Sequence, residues 1–311
     1  MKKDEFYYPS KDGNTEIHTI EWKPEGEVKA VVQLCHGMVE YIDRYDDFAK
    51  FLCEKGIYVV GNDHLGHGKS IQSKSEYGYF SDRYGNTCLI GDMHMLRQRT
   101  SQKYSDVPYF LLGHSMGSAL SRQYMQLYGN GLQGVILLGV TADHTNGTLR
   151  LGRGLCRFLA LLRGWHYRSK LVDKMAIGAY NKKFKPAKTR ADWVTSDMRK
   201  LEEYVKDPLC SFTFTVNAYY NMMLGMQKIK RKEAIFMIPK NLPVLMAAGS
   251  DDPVGDFGKG VRKVFEKYKR AGLRDVTLQL YPGDRHELIN ETDRDRVYED
   301  LYHWIEERMS S

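Results

Sequence analysis

The chain has 311 residues, of which 42% are apolar, so it can bury a full core as one large domain with an insertion or as two domains. Five widely spaced cysteines without a Cys-x-x-Cys pair indicate neither a disulfide framework nor a zinc site. The net charge of +7 is concentrated in residues 141–235, which hold 19 Lys and Arg against 8 Asp and Glu, and no nucleic-acid-binding motif accompanies them. We therefore expect no nucleic-acid partner.

The N-terminal stretch MKKDEFYYPSKDGN has two lysines but no apolar segment behind them. Nowhere in the chain do about 18 uncharged apolar residues follow one another. These features predict a soluble cytoplasmic protein.

Strands and helices are predicted to alternate along the chain. The opening EIHTIEW alternates with a period of two and suits an antiparallel edge hairpin. Short apolar runs then predict strands at AVVQLCHG, IYVVGND, YFLLGHS, GVILLGV, PVLMAAGS and VTLQLYPG. Helices are expected at about 44–55, 86–103, 117–128, 257–271 and 292–308, the last with Thr292 and Asp295 as a capping box. This order predicts an α/β fold, with a mainly parallel central sheet and helices on both faces.

About 100 residues between GVILLGV and PVLMAAGS show no strand pattern, which is too long for an ordinary connection. We interpret residues 141–236 as a helical cap, inserted into a core formed by residues 1–140 and 237–311.

The first predicted cap helix is amphipathic and basic. One side carries apolar residues and the other carries arginines: Leu151, Leu155, Phe158, Leu159, Leu162 and Trp165 against Arg150, Arg153, Arg157 and Arg168. The simpler interpretation is a packed leucine face under a solvated arginine face. The alternative is peripheral contact with an anionic membrane or a lipid aggregate.

The strongest motif is Gly113-His114-Ser115-Met116-Gly117, directly after a predicted strand and directly before a predicted helix. Two glycines around a serine allow a tight turn that exposes the hydroxyl above the sheet, at the positive end of the next helix. A serine that merely caps a helix would not need both glycines. We therefore expect Ser115 to be a nucleophile.

A serine nucleophile needs a base, an orienting carboxylate and donors for an oxyanion. His286, in the polar loop before the last helix, is the predicted base. Asp251 and Asp252 both follow the preceding strand, and we favour Asp252 because Pro253 sets a turn directly after it. The predicted oxyanion donors are two backbone amides, those of Met38 and Met116.

Four blocks of the chain, HGMVEYIDRYDDFAKFL, GNDHLGHGKS, FLLGHSMGSA and GSDDPV, resemble those of the monoacylglycerol lipase and lysophospholipase family of serine hydrolases. The resemblance covers about residues 29–139 and 242–305. It implies the α/β-hydrolase fold and the same roles for Ser115, Asp252, His286, Met38 and Met116. Ser118 and the pair Met38-Val39 depart from the family, which often has smaller residues at these positions.

The resemblance implies hydrolysis of a monoacylglycerol or lysophospholipid ester, with no metal or organic cofactor. An aminopeptidase of the proline iminopeptidase kind is an alternative, for which Glu202 and Glu203 are available to bind a substrate amine. A small-molecule carboxylesterase is another. A third alternative is a ligand-binding protein that kept the fold and lost catalytic activity, although the chain has a residue of the required type at each of the three predicted catalytic positions.

Two other patterns have simpler explanations than a metal site or a dinucleotide-binding site. Asp63, His64 and His67 have the residue types of a metal site, but no further ligand cluster accompanies them, so hydrogen bonding beneath the site is the preferred interpretation. The GxGxxG at 129–134 precedes a strand instead of following one, so it is a chance match.

The cap stretch 212–227, FTFTVNAYYNMMLGMQ, is rich in Phe, Tyr and Met. Such residues suit either a groove for an acyl chain or an ordinary cap core. The substrate-binding candidates are Phe212, Phe214, Tyr219 and Met222.

Overall fold

The computed structural model describes residues 1–309 and contains one eight-stranded sheet. The strands are β1 (Lys2–Pro9), β2 (Glu16–Lys23), β3 (Ala30–Cys35), β4 (Ile57–Asn62), β5 (Tyr109–His114), β6 (Gly134–Leu138), β7 (Val244–Gly249) and β8 (Val276–Tyr281). Their spatial order is β1-β2-β4-β3-β5-β6-β7-β8. The hairpin β1–β2 and the pair β2–β4 are antiparallel, and all other pairs are parallel. The predicted α/β sheet with an antiparallel edge is confirmed.

Helices of the described residues cover both faces of the sheet and fill the segment between β6 and β7. They are α1 (Asp46–Glu54), α2 (Gly85–Lys103), α3 (Met116–Tyr128), α4 (Asn146–Arg163), α5 (Lys170–Ala176), α6 (Met198–Lys206), α7 (Val216–Ile229), α8 (Lys232–Phe236), α9 (Lys259–Arg270) and α10 (Arg294–Met309). The five helices predicted outside the cap are present, with ends that differ from the prediction by at most two residues. Helix α10 starts at Arg294, one residue later than capping by Thr292 would place it.

The central strands are buried on both sides because helices cover both faces of the sheet. Every residue of β3 to β7 is buried. Alternate side chains enter two different cores: Val31 packs in one, and Val32 packs in the other with side chains of α1 and α10. This arrangement brings the carboxyl ends of β3, β5, β7 and β8 to one edge of the sheet.

The segment between β6 and β7 contains α4 to α8 and, among the described residues, no strand. Helix α4 packs against α7. The domain boundaries at 140 and 237 stay a prediction.

The expected packed leucine face of α4 differs from the observed one. The residues that α4 buries are small or lie outside the predicted leucine face: Leu149, Gly152, Cys156 and Ala160. At Gly152 a Cβ atom would lie 2.6 Å from Sδ of Met223, so small residues let α4 approach α7 closely. Leu151, Phe158 and Leu162 are consequently exposed.

The arginines of the cap also differ from the expectation in part. Arg153 donates to the Tyr220 hydroxyl, and Arg168 donates to the Ser75 carbonyl. Arg150 and Arg157 are exposed as expected. Among residues 1–309, no helix has both the length and the apolar character needed to cross a membrane.

Candidate active site

Ser115 lies on a sharp turn between β5 and α3. Its backbone adopts φ 54° and ψ −116°, outside the regions that non-glycine residues favour. A Cβ atom at Gly117 would lie 1.9 Å from the Cys35 carbonyl oxygen, and one at Gly113 would lie 2.3 Å from the Gly117 carbonyl oxygen. The Ser115 amide donates to the Leu138 carbonyl at 3.0 Å. Glycines on both sides therefore permit a turn that holds the serine at the carboxyl edge of the sheet.

A histidine and an aspartate meet at the same edge. Nδ1 of His286, after β8, lies 2.9 Å from Oδ2 of Asp252, after β7. Both residues are buried, and Oδ1 of Asp252 accepts a hydrogen bond from the Val254 amide at 2.8 Å. The Asp251 side chain is 38% exposed and pairs with Lys183 at 2.8 Å. The structure thus places Asp252, and not Asp251, beside His286.

One cavity of about 510 Å³ lies at this edge of the sheet. Its walls include Ser115, His286 and the two residues predicted to supply oxyanion donors, Met38 and Met116. Met116 is the first residue of α3, and Met38 lies in the loop after β3. The predicted nucleophile, the predicted base and the two residues predicted to supply oxyanion donors therefore line one cavity.

Comparison with known protein families agrees with this geometry. The family model described as serine aminopeptidase, S33, matches residues 26–293 of the chain. The chain belongs to this family of α/β-hydrolases.

Relatives of this α/β-hydrolase include lipases and esterases. A monoglyceride lipase homolog from Monkeypox virus is 27% identical over 95% of this chain and 96% of its own length. The monoglyceride lipase of Mus musculus is 27% identical over 93% of this chain and 86% of its own. A solved thermostable carboxyl esterase from Bacillus coagulans, in complex with glycerol, is 29% identical, with a TM-score of 0.92 and 99% coverage of both chains. The protein is a serine hydrolase of the lipase or esterase type.

Two of the four predicted substrate-binding residues of the hydrolase line the cavity. Phe212 and Met222 lie in its wall. Phe214 and Tyr219 do not, because both are fully buried in the core. The Tyr219 hydroxyl donates to Asp173 at 2.6 Å, so burial of this side chain is satisfied without a ligand.

Several lining residues were not predicted from the sequence. They come from α4, α5 and the methionines of α7: Leu149, Leu155, Val172, Met175, Met223 and Met226. The methionine-rich stretch indicated that α7 could line a groove. Which face of α4 and α5 points toward the cavity depends on packing and could not be predicted from the sequence. Trp193, whose ring centroid is 5.1 Å from that of His286, lies in a segment without any pattern.

A buried charge network that the sequence analysis missed lies beside the site. Arg44 forms a two-pronged ion pair with Glu287, with N···O distances of 2.8 and 2.7 Å, and also bonds Glu40 at 2.8 Å. Burial alone would lower the pKa of Arg44, but the two carboxylates raise it well above its usual value. The network ties the loop after β3 to the residue that follows His286.

Asp63 and His67 support the loop that carries Met38, whereas neither ring nitrogen of the buried His64 has a hydrogen-bond partner among the described residues. Val39 has φ 57°, a rare value for a β-branched residue, and its amide donates to Nε2 of His67 at 3.2 Å. Burial lowers the pKa of His67 to about 3, so this ring is a neutral acceptor. Asp63 accepts from the Ile42 amide at 2.8 Å. Residues 1–309 contain no group of three or more side chains placed to hold a metal ion.

The carboxylates considered for an aminopeptidase lie outside the site. Glu202 and Glu203 are exposed on α6 and pair with Lys206 and Lys200. Neither belongs to the cavity wall. The aminopeptidase alternative therefore lacks its expected amine-binding groups.

Proposed function

We propose that this hydrolase cleaves single-chain lipid esters such as monoacylglycerols or lysophospholipids. The observation that carries this proposal is the cavity, in which Ser115 and His286 open onto mainly apolar walls that include six methionines. Its volume of about 510 Å³ is within the range of pockets that enclose a small-molecule ligand. The monoglyceride lipases among the relatives support the same substrate class.

The proposed reaction proceeds through an acyl-enzyme. His286 takes the proton of Ser115 while Oγ attacks the ester carbonyl, and Asp252 holds the imidazole through Nδ1. The amides of Met38 and Met116 donate to the oxyanion, and His286 returns the proton to the departing alcohol. Water then repeats the sequence and releases the acid. No step requires a metal or an organic cofactor.

A chain-length series tests the substrate. We would compare acetyl to oleoyl esters, including monoacylglycerols and lysophosphatidylcholine, with the native protein and with Ser115→Ala. We expect a rate that depends on Ser115 and peaks at medium or long acyl chains, because only these chains are long enough to fill the apolar cavity.

Other outcomes distinguish the alternatives. A rate that depends on Ser115 but is confined to acetyl and butyryl esters would identify a small-molecule carboxylesterase. Cleavage of prolyl amides without cleavage of esters would identify an aminopeptidase. Either result contradicts the proposed substrate class.

We also propose that the cap makes peripheral contact with anionic membranes. Its exposed apolar side chains lie on α4 and α5: Leu151, Phe158, Leu161, Leu162 and Leu171. Exposed cations accompany them on the same helices: Arg150, Arg157, Arg163, Lys170 and Lys174. An apolar surface with basic neighbours is suited to a bilayer of anionic lipids. The inner side of these helices lines the cavity, so a lipid substrate would have a short path to Ser115.

A further inference from the structure

His114 stands between two hydrogen-bond acceptors. This buried residue precedes Ser115, and its Nδ1 lies 2.9 Å from Oε1 of Glu40. Its Nε2 lies 3.3 Å from the carbonyl oxygen of His286. A carbonyl oxygen cannot donate. If Glu40 is ionised, both ring nitrogens of His114 must donate, which only an imidazolium can do.

The partners of Glu40 show that it is ionised. Its carboxylate receives bonds from the Gly37 amide, from the Tyr45 hydroxyl at 3.1 Å and from Arg44 at 2.8 Å. All of these groups donate. Burial would raise the pKa of Glu40, but His114 and Arg44 lower it well below its usual value.

Within the bonded cluster of His114, Glu40, Arg44 and Glu287, the charges balance only when His114 is protonated. Glu40 and Glu287 carry two negative charges, and Arg44 and His114 carry two positive charges. Burial would lower the pKa of His114, but the adjacent Glu40 carboxylate outweighs burial and raises it. A neutral His114 would leave an uncompensated buried carboxylate, which is costly.

We propose that His114 is a protonated positioning residue that fixes the loop of Met38, the Ser115 turn and the His286 loop relative to one another. Through Glu40 it is linked to the Gly37 amide, which precedes Met38, and through Nε2 it holds the His286 backbone. The kinetic part of this proposal rests on the proposed roles of Ser115 and His286. The protonation state of His114 does not.

The ring of His114 also lies beside the ring of the proposed base. The ring centroids of His114 and His286 are 4.8 Å apart. Other charged and titratable groups face this pair. They are His36, Glu40, Arg44 and Tyr45 after β3, Asp252 after β7, Glu287 after β8, and Tyr180 of the cap.

Nitrogen NMR of protein labelled at its histidine rings tests the protonation state directly. The signal of His114 is assigned by its loss in His114→Gln. We expect two protonated ring nitrogens throughout pH 6 to 9 in the native protein. A bare nitrogen at pH 7 would overturn the proposal, whatever the protein hydrolyses.

Kinetics test the positioning role. Glu40→Gln is expected to lower kcat by about 10- to 100-fold with little change in KM, because small displacements of reacting groups are costly. The NMR signal of His114 should then report a neutral ring. Glu202→Gln, which removes an exposed carboxylate of α6, is the matched control and should keep the native rate.

The split between kcat and KM separates this role from a purely structural one. His114→Gln should lower kcat by about 10- to 100-fold and leave KM within about twofold of the native value. A native kcat in His114→Gln, or a loss that appears only in KM, would contradict the positioning role.

Discussion

At the scale of single residues, the backbone around Ser115 explains why the motif could be interpreted from the sequence. Contacts within a few residues, or with the adjacent strand, leave no room for a side chain at Gly113 and Gly117. The need for both glycines is therefore visible in the sequence motif itself. His114 lies in the same motif, yet its role was not predicted. Its partner Glu40 is 74 residues away in the chain, and the bond exists only after the sheet has formed.

The choice between Asp251 and Asp252 yields a residue-scale prediction. Asp252→Asn should lower kcat by about 10³- to 10⁴-fold, because an amide does not hold the His286 tautomer that accepts the serine proton. Asp251→Asn should change kcat by less than about twofold, since it removes only an exposed ion pair with Lys183. Steady-state ester hydrolysis by both variants measures this difference. Similar losses in the two variants would show that the carboxylate is wrongly assigned.

At the scale of elements, helix α4 shows where sequence periodicity fails. The positions of large apolar residues predict one packed face, but α4 buries the small residues Gly152, Cys156 and Ala160, and Gly152 lies against Met223 of α7. Close approach of two helices favours small residues, and the pattern of hydrophobicity does not distinguish this interface from a leucine face. The strands of the core were easier to predict because burial on both faces leaves a continuous apolar run.

The exposed face of α4 provides the element-scale prediction. Leu161, whose exposed fraction is 87%, should insert into anionic bilayers, so Leu161→Glu should weaken binding to phosphatidylglycerol vesicles by about tenfold. Vesicle sedimentation measures the bound fraction. Leu127→Glu is the matched control, because Leu127 is also exposed, at 60%, but belongs to α3, outside the cap. Equal binding by both variants, or no binding by the native protein, would contradict the membrane contact.

At the scale of the whole molecule, the alternation of strands and helices was sufficient to predict the core. The site could be predicted to the extent that it follows from chain order: a serine after β5, an aspartate after β7 and a histidine after β8. The cavity could not, because core loops and cap helices build it together. Phe214 and Tyr219 illustrate this, since their composition suited a groove and packing buried them.

The most direct test of the central claim is covalent labelling with a fluorophosphonate, followed by mass spectrometry of the peptides. The account predicts rapid formation of a single adduct on Ser115, because His286 activates that hydroxyl and the cavity admits the probe. Ser115→Ala should remain unlabelled. An adduct on another residue, labelling of Ser115→Ala, or an inert native protein would contradict the assignment of Ser115 as the nucleophile.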